Sequence, residues 1–261
     1  MKKLLVAVIA GSFAYSALAT FVGNPTPSNG FDSTSAVSVR SMHEKDGGNA
    51  RPMINTINGA GMYHNGARVH TDLINDPNDP RGSFDNGDGF VTMGFQDGTP
   101  TGEPSPRGGT VLGSQWAEFG FDQAYDIKNV HIWNYNEAGA AFWAMQGMRD
   151  VTIEVTSVGD GFGWGSTDPG DWTTLFAGSL NMGGAPLLTA QILPANMTFQ
   201  YLVITSSTDD LRVNFMDDFL ASPFHSIEAG LSEIEFEIVP EPSALALLGL
   251  GAVALILRRR R

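Results

Sequence analysis

The chain has 261 residues, and 42% of them are hydrophobic, which is enough apolar material for a folded core and excludes wholesale disorder. The 31 glycines and 14 prolines favour many turns over long helices, and the absence of cysteine excludes disulfides, thiolate catalysis and cysteine-based metal sites. Of the 15 basic residues, 6 lie at the two ends, so that 9 basic residues face 28 acidic ones elsewhere. Such a surface repels phosphate backbones, which argues against nucleic acid as a partner.

The N-terminus has the layout of an export signal. A short basic segment and the apolar run Leu4–Ala10 lead to Ala17 and Ala19, which form the A-x-A pattern that signal peptidase reads. A retained membrane helix, the alternative, needs about 20 apolar residues, and this run is shorter. We therefore predict a signal peptide over residues 1–19 that is cleaved after Ala19, followed by a polar, Pro/Gly-rich linker over residues 20–35.

The region from residue 36 to residue 239 is patterned as β-strands. Short runs alternate apolar and polar residues, which is typical of strands with one buried and one solvated face. The predicted apolar faces are Ala117, Phe119 and Phe121, then Val151, Ile153 and Val155, then Ile234, Phe236 and Ile238; the opposite, solvated faces include Glu118, Glu154 and the series Glu233, Glu235 and Glu237.

Other segments extend the strand pattern. Further strands are expected near residues 36–41, 53–58, 90–95, 172–177 and 187–193, with more continuously apolar, central strands at 130–135 and 201–205. No segment has the pattern of a long amphipathic helix. About eight to ten strands separated by irregular loops predict an all-β fold of the sandwich type.

Five blocks of this region follow one another in a distinctive order. They are Asn55–Met62, Gln115–Phe119, Val130–Glu137, Gly147–Ile153 and Gly230–Phe236. In this order they resemble a discoidin, or coagulation factor 5/8 C-type, domain of the galactose-binding-like superfamily. The resemblance covers residues 36–239 and implies a jelly-roll β-sandwich whose loops at one end bind sugars, lipids or proteins.

Two groups of residues are candidates for a structural calcium ion. Asp85 and Asp88 lie in an acidic, turn-rich loop, and carboxylate oxygens are preferred calcium ligands, although a solvated acidic loop explains the same pattern. The family resemblance implies a calcium between an early loop, here Asn58 and Gly59, and the closing strand at Glu233. The alternative for Glu233 is a plain exposed strand glutamate.

Aromatic residues in loops are the candidates for sugar binding, because aromatic rings serve as platforms for sugar rings. Trp133 lies inside a predicted central strand, and Trp116 and Trp172 are likewise expected to be packed. The candidate ligand-binding residues are Phe142, Trp143 and Trp164, which fall in Gly/Ala-rich loops, with Asn136 and Glu137 as hydrogen-bonding partners for hydroxyls. The alternative for each is simple loop packing.

The C-terminus carries a second address signal. Pro240, Glu241 and Pro242 precede the apolar run Ser243–Leu257 and the arginine cluster Arg258–Arg261. This order resembles the PEP-CTERM sorting signal, so residues 240–261 are predicted to be a sorting tail. The resemblance implies a short transmembrane helix that holds the chain in the inner membrane until an exosortase cleaves it and releases the protein. The alternative is a permanent single-span anchor.

Patterns for catalysis are lacking. The five histidines form no HExxH motif, and there is no G-x-S-x-G, P-loop or GxGxxG sequence. The chain is therefore predicted to be a non-catalytic protein, exported from a Gram-negative-type bacterium to the cell surface or extracellular matrix, whose β-sandwich binds polysaccharide or a cell-surface glycan. A structural or adhesive envelope protein that binds other proteins, and a hydrolase acting on polysaccharide, are the alternatives.

Overall fold

A computed structural model of the chain describes residues 20–22, 37–41, 56–57, 62–64, 68–71, 94–96, 116–135, 145, 147–183, 187–206, 215 and 229–239. The chain divides into two units, Phe21–Val239 on one hand and Met1–Thr20 with Pro240–Arg261 on the other. All described residues except Thr20 belong to the first unit. The predicted signal peptide and sorting tail lie outside the described residues.

Eleven strands make up the described part of the fold, in which there is no α-helix. They are β1 (Thr20–Val22), β2 (Val37–Ser41), β3 (Met62–His64), β4 (Arg68–Thr71), β5 (Gly94–Gln96), β6 (Trp116–Asn134), β7 (Asp150–Thr156), β8 (Thr173–Ser179), β9 (Leu187–Thr189), β10 (Gln191–Ser206) and β11 (Ala229–Ile238). The all-β prediction is confirmed. One predicted strand is wrong where it is described, since Thr56 and Ile57 form a 3-10 turn. Within the described residues, then, nothing helical is long and apolar enough to cross a bilayer.

The strands form two sheets. Eight strands pair in the order β1-β11-β6-β10-β7-β8, with β2 added to β6 and β5 added to β11, while β3, β4 and β9 form a separate three-stranded sheet. The pairs of β6 with β2, β10 and β11, and the pairs of β7 with β8 and β10, are antiparallel.

The long strand β6 bends and so contributes to two layers. Its first half pairs with β2 around Phe119, and its second half pairs with β11, where Phe236 lies opposite Val130. An extended strand rises about 3.3 Å per residue, so Phe119 and Val130 of a straight strand would be about 36 Å apart. The ring centroids of Phe119 and Phe236 are nevertheless only 6.0 Å apart. The two halves of β6 therefore face each other, as in the predicted β-sandwich.

The core fills the space between these two halves. Phe121 packs edge-to-face on Phe236 at 4.7 Å and on Phe199 at 5.8 Å between ring centroids. Val151, Ile153 and other inward residues of β7 complete this cluster, as the alternating pattern predicted. Aromatic pairs of this geometry add about 0.5–1.5 kcal/mol each beyond the area that they bury.

The polar faces of these strands are covered as well, which corrects the predicted solvated faces. Glu118, Glu233 and Glu235 are all 0% exposed, and Glu154 is also buried. Alternation shows that a strand has two different faces, but it does not show whether a distant segment covers the polar one. The predicted burial of the tryptophans is confirmed, since Trp133, Trp116 and Trp172 are all buried.

Candidate functional site

The outer face of the first half of β6 is covered by the segment over residues 157–172. Trp116 on β6 and Tyr201 on β10 form an apolar cluster with Trp172 of the covering segment. The indole Nε1 of Trp172 donates a hydrogen bond of 2.8 Å to the backbone oxygen of Ser166 within the same segment. The covering segment is therefore attached to the sheet by aromatic packing.

An ion pair between Arg40 and the buried Glu118 adds a second attachment. The Glu118 carboxylate accepts hydrogen bonds from Nε of Arg40 at 2.6 Å and from the backbone N–H of Gly165 at 2.7 Å. The Arg40 guanidinium also lies over the rings of Trp164, at 4.5 Å, and Trp116, at 5.9 Å. Glu118 thus joins the sheet to the covering segment. Arg40 contacts one indole of the sheet, Trp116, and one of the covering segment, Trp164.

The buried environment of Glu118 changes the pKa of its carboxyl group. Burial raises the pKa of the Glu118 carboxyl, and this effect outweighs the opposing influence of the Gly165 N–H and the Arg40 charge. Both carboxylate oxygens are engaged and the side chain has no solvent exposure. Glu118 is therefore placed for structure and is not accessible to a substrate.

The tip of the covering segment is a braced turn that exposes an aromatic ring. The Asp160 carboxylate accepts hydrogen bonds from the backbone N–H groups of Phe162, at 2.7 Å, and Trp164, at 3.1 Å. Gly161 and Gly163 have φ of +82° and +99°, a region that glycine adopts without strain. Phe162, between these glycines, is 89% exposed. The backbone of the turn is thus fixed by hydrogen bonds while its central ring meets solvent.

An open cavity of about 340 Å³ lies beside this tip, where β6 begins to bend. Its size is at the lower end of the range for small-molecule sites. The lining residues are Val37, Ser38, Phe121, Asp122, Gly163, Gln200 and Tyr201. The cavity therefore combines aromatic walls with a hydroxyl, an amide and a carboxylate.

The polar lining groups are held in place by hydrogen bonds. The Ser38 hydroxyl donates to the backbone oxygen of Gly120, and the Gln200 amide donates to the backbone oxygen of Phe121. The Asp122 carboxylate accepts a hydrogen bond of 2.8 Å from the Tyr125 hydroxyl. The side chains of Ser38, Asp122 and Gln200 can make further hydrogen bonds, because a hydroxyl, a carboxylate and an amide each have several donor or acceptor positions.

Two acidic side chains lie near the Tyr201 wall of the cavity. Burial raises the pKa of the Tyr201 hydroxyl, and the nearby negative charges of Asp160 and Glu118 raise it further. Among the described residues that line the cavity, Asp122 is the one with a formal charge. The charged group in the described lining, Asp122, and the nearby Asp160 are therefore both acidic.

The other half of the sheet has a separate polar cluster around Glu237. Its carboxylate, although desolvated, accepts hydrogen bonds from Lys128 at 2.6 Å and Asn129 at 2.5 Å, and His131 lies 3.3 Å away. Burial alone would raise the pKa of Glu237, but these partners lower it to about 2. On the same strand, Glu233 lies opposite Trp133 and is fully buried, so the alternative of an exposed strand glutamate is wrong.

Most of the predicted site residues lie outside the described residues. Those outside are the ligand-binding candidates Asn136, Glu137, Phe142 and Trp143, the calcium candidates Asn58, Gly59, Asp85 and Asp88, the sorting residues Pro240, Glu241 and Pro242, and the cleavage residues Ala17 and Ala19. Among the described residues, no three acidic or histidine side chains lie close enough together to hold a metal ion. The calcium role of Glu233 stays a prediction.

Trp164 is the one predicted ligand-binding residue that is described. It is half-buried against Arg40, and its place in the covering segment brings it next to the exposed Phe162. Sequence reasoning missed Phe162 and the cavity residue Asp122. The signal for Phe162 was available, since a large aromatic residue between two glycines in a polar loop has little chance of local packing.

Comparison with known proteins gives a clear result at the C-terminus. Residues 239–261 match the PEP-CTERM protein-sorting motif. The predicted sorting tail is thereby confirmed, and the motif indicates an exported protein. A comparison with curated proteins found no match.

Solved structures that the chain resembles include sugar-binding modules. One is the module CpGH89CBM32-5 of Clostridium perfringens, in complex with GalNAc-β-1,3-galactose, with a TM-score of 0.43 and 11% identity over 77% of this chain and 95% of that one. Another is an F5/8 type C domain of a Bacteroides fragilis protein, with a TM-score of 0.41 and 12% identity over 80% and 97%. A fucolectin of striped bass, Morone saxatilis, has a TM-score of 0.43 and 9% identity over 80% and 48%. Each of these TM-scores lies below 0.5.

Proposed function

We propose that this chain is an exported, non-catalytic protein that binds carbohydrate with the tip of its covering segment and the adjacent cavity. The observation that carries the proposal is the Phe162 ring, which is 89% exposed on a turn braced by Asp160. An exposed aromatic ring stacks on the apolar face of a sugar, and a rigid backbone reduces the entropy lost on binding. Ser38, Asp122 and Gln200 supply hydrogen bonds to hydroxyl groups.

The same geometry favours binding over hydrolysis. A glycosidase needs two carboxyl groups that face each other across the scissile bond, about 5 to 9.5 Å apart. The described lining of the cavity has one carboxylate, Asp122. The nearby Glu118 is buried and engaged by Arg40 and Gly165.

Binding is tested with the purified full chain on a glycan array, in a mild non-ionic detergent because of the apolar run Ser243–Leu257. The variant Phe162→Ala should weaken retention of the bound glycans at least about fivefold, the effect of losing roughly 1 kcal/mol of contact. Its thermal stability should be unchanged, because the removed ring is almost fully exposed.

A matched control separates stacking from a general loss of exposed apolar surface. Ile192 on β10 is 54% exposed and does not line the cavity, so Ile192→Ala should leave glycan binding intact. A blank array for the wild-type chain, with and without calcium, refutes carbohydrate binding. If a protein partner then cross-links near residue 162, the alternative of an adhesive envelope protein replaces it.

The two ends of the chain are proposed to direct its export and processing. Signal peptidase cleaves after Ala19, the apolar tail holds the chain in the inner membrane, and an exosortase cleaves near Pro240–Pro242 to release it to the surface or matrix. Mass spectrometry of the released protein should find termini close to residues 20 and 240. Recovery of a species that retains Arg258–Arg261 outside the membrane would contradict this route.

A further inference from the structure

The cavity beside Phe162 has a charge that bears on which glycans can enter it. Asp122 is exposed at the cavity, and the remaining lining residues are uncharged. Asp160 and Glu118 lie close enough to Tyr201 for their negative charges to act on its hydroxyl. Because Glu118 is paired with Arg40, the negative charge that a ligand in the cavity meets comes from Asp122 in the lining and from Asp160 near Tyr201.

Arg40, a described cation that contacts the covering segment, is paired with a carboxylate. Arg40 is bonded to Glu118, with an N–O distance of 2.5 Å, and its side chain is 32% exposed. Its guanidinium lies 4.5 Å from the centroid of the Trp164 ring. The charges of Arg40 and Glu118 therefore largely cancel each other, and the Arg40 guanidinium is partly covered by an indole.

We infer that the cavity selects saccharides by charge: amino sugars bind most tightly, neutral sugars less tightly, and uronic acids least tightly. This inference rests on the proposed carbohydrate function and specifies its ligand class. The Asp122 carboxylate, which retains acceptor capacity beside its bond from Tyr125, accepts hydrogen bonds from an ammonium group or a hydroxyl. A sugar carboxylate in the same position has no hydrogen to donate and meets a like charge.

The overall excess of acidic residues favours the same order of sugars through longer-range electrostatic forces. Outside the two ends, 9 basic residues face 28 acidic ones. Such a field slows the approach of a polyanion and favours a cationic chain, and both effects weaken as salt is added. At the cavity itself, one like-charge contact near the surface should reduce affinity about three- to tenfold.

Matched oligosaccharides test this order. Trisaccharides in the gluco, galacto and manno configurations are each prepared in an amino, a neutral and a uronate form, and each is titrated into the full chain by calorimetry at low salt. The amino form should bind about three- to tenfold more tightly than the neutral form, and the neutral form more tightly than the uronate by a similar factor. In 0.5 M NaCl the spread should shrink, since the Debye length then falls below about 8 Å.

Asp122→Asn should remove most of this discrimination, because the amide keeps the oxygen that faces Tyr125 and removes the charge. The matched control is Asp168→Asn, which changes the net charge equally. Asp168 does not line the cavity, and asparagine preserves its capping bond to the Gly170 N–H. The control should retain the order of the three forms.

The outcomes separate the inference from the function on which it rests. If the glycan array is blank, both the proposed function and the inference fail; if the array retains glycans but none of the nine trisaccharides binds, the inference alone fails. If neutral trisaccharides bind but the uronate form binds as well or better, or if Asp122→Asn leaves the order unchanged, the charge selection is wrong while carbohydrate binding stands.

Discussion

Gly165 lies where the covering segment is in close contact with the sheet, through its N–H bond to Glu118. A Cβ atom at this position would lie 2.7 Å from both Cζ2 and Cη2 of Trp172 and 3.0 Å from Oε1 of Glu118. The Trp172 ring is held by its hydrogen bond to Ser166, and the Glu118 carboxylate is held by Arg40. Neither neighbour can move away without losing a contact, so Gly165→Ala should strain the attachment of the whole covering segment.

The magnitude follows from the cost of overpacking. Adding atoms to a well-packed site costs about 1–3 kcal/mol, and for a domain of 150–250 residues each kcal/mol lowers the melting temperature by about 2–4 °C. We therefore expect Gly165→Ala to melt about 2–12 °C below the wild-type protein when unfolding is followed by circular dichroism at a fixed scan rate.

Gly170→Ala is the matched control in the same segment. The nearest atom to its added Cβ would be Oδ1 of Asp168, at 3.3 Å, and that residue is exposed and can shift. The control should melt within about 1–2 °C of the wild-type protein. Equal melting temperatures for Gly165→Ala and the wild-type protein, or an equal drop in the control, would refute the contact argument.

Two further predictions concern buried polar groups. The pKa of Glu237 is lowered from 4.5 to about 2 in the folded state, so its contribution is present above pH 4.5 and is lost as the pH falls from about 4.5 towards 2. This loss amounts to up to about 3 kcal/mol, and Glu237→Gln should lack it in acid unfolding curves; identical pH dependence of the two proteins would contradict the assignment. The Asn134 side chain donates to the backbone oxygens of Met148 and Asn181 and accepts from the Tyr135 N–H. Asn134→Ala leaves these backbone groups without their partner, so it should lower the free energy of unfolding, measured by urea titration, by about 2–4 kcal/mol. A loss below about 0.5 kcal/mol would show that water replaces the side chain.

The glutamates on the predicted solvated faces show that the alternating pattern is not sufficient to predict burial. Glu118 and Glu233 alternate with apolar neighbours as exposed residues do, yet both are fully buried. Glu118 is covered by a segment that begins almost forty positions further along the chain. On the other half of the sheet, Trp133 packs against Leu188 of β9, which belongs to the second sheet. A local pattern reports the polarity of a face, whereas coverage depends on contacts between remote segments.

In the candidate site, too, local features were predictable from the sequence and long-range contacts were not. Trp164 was predicted as a loop aromatic from its glycine-rich neighbourhood, and its loop position is correct. Its contact with Arg40 joins positions 124 residues apart, and no local pattern contains that pairing. The cavity likewise draws on Ser38, Asp122 and Gln200 from three different strands or strand ends.

The linear order of residues alone determined the sorting motif, the all-β class and most strand positions, because sorting motifs and alternating strands are each written in a few consecutive residues. The tertiary structure decided which faces are covered, how the charge of Glu118 is matched by Arg40, and where a ring such as Phe162 is left in solvent beside a cavity. These features depend on the bend of β6, which brings together residues that the sequence keeps far apart. Burial and electrostatic fields are sums over neighbours in space, and the fold alone sets those neighbours.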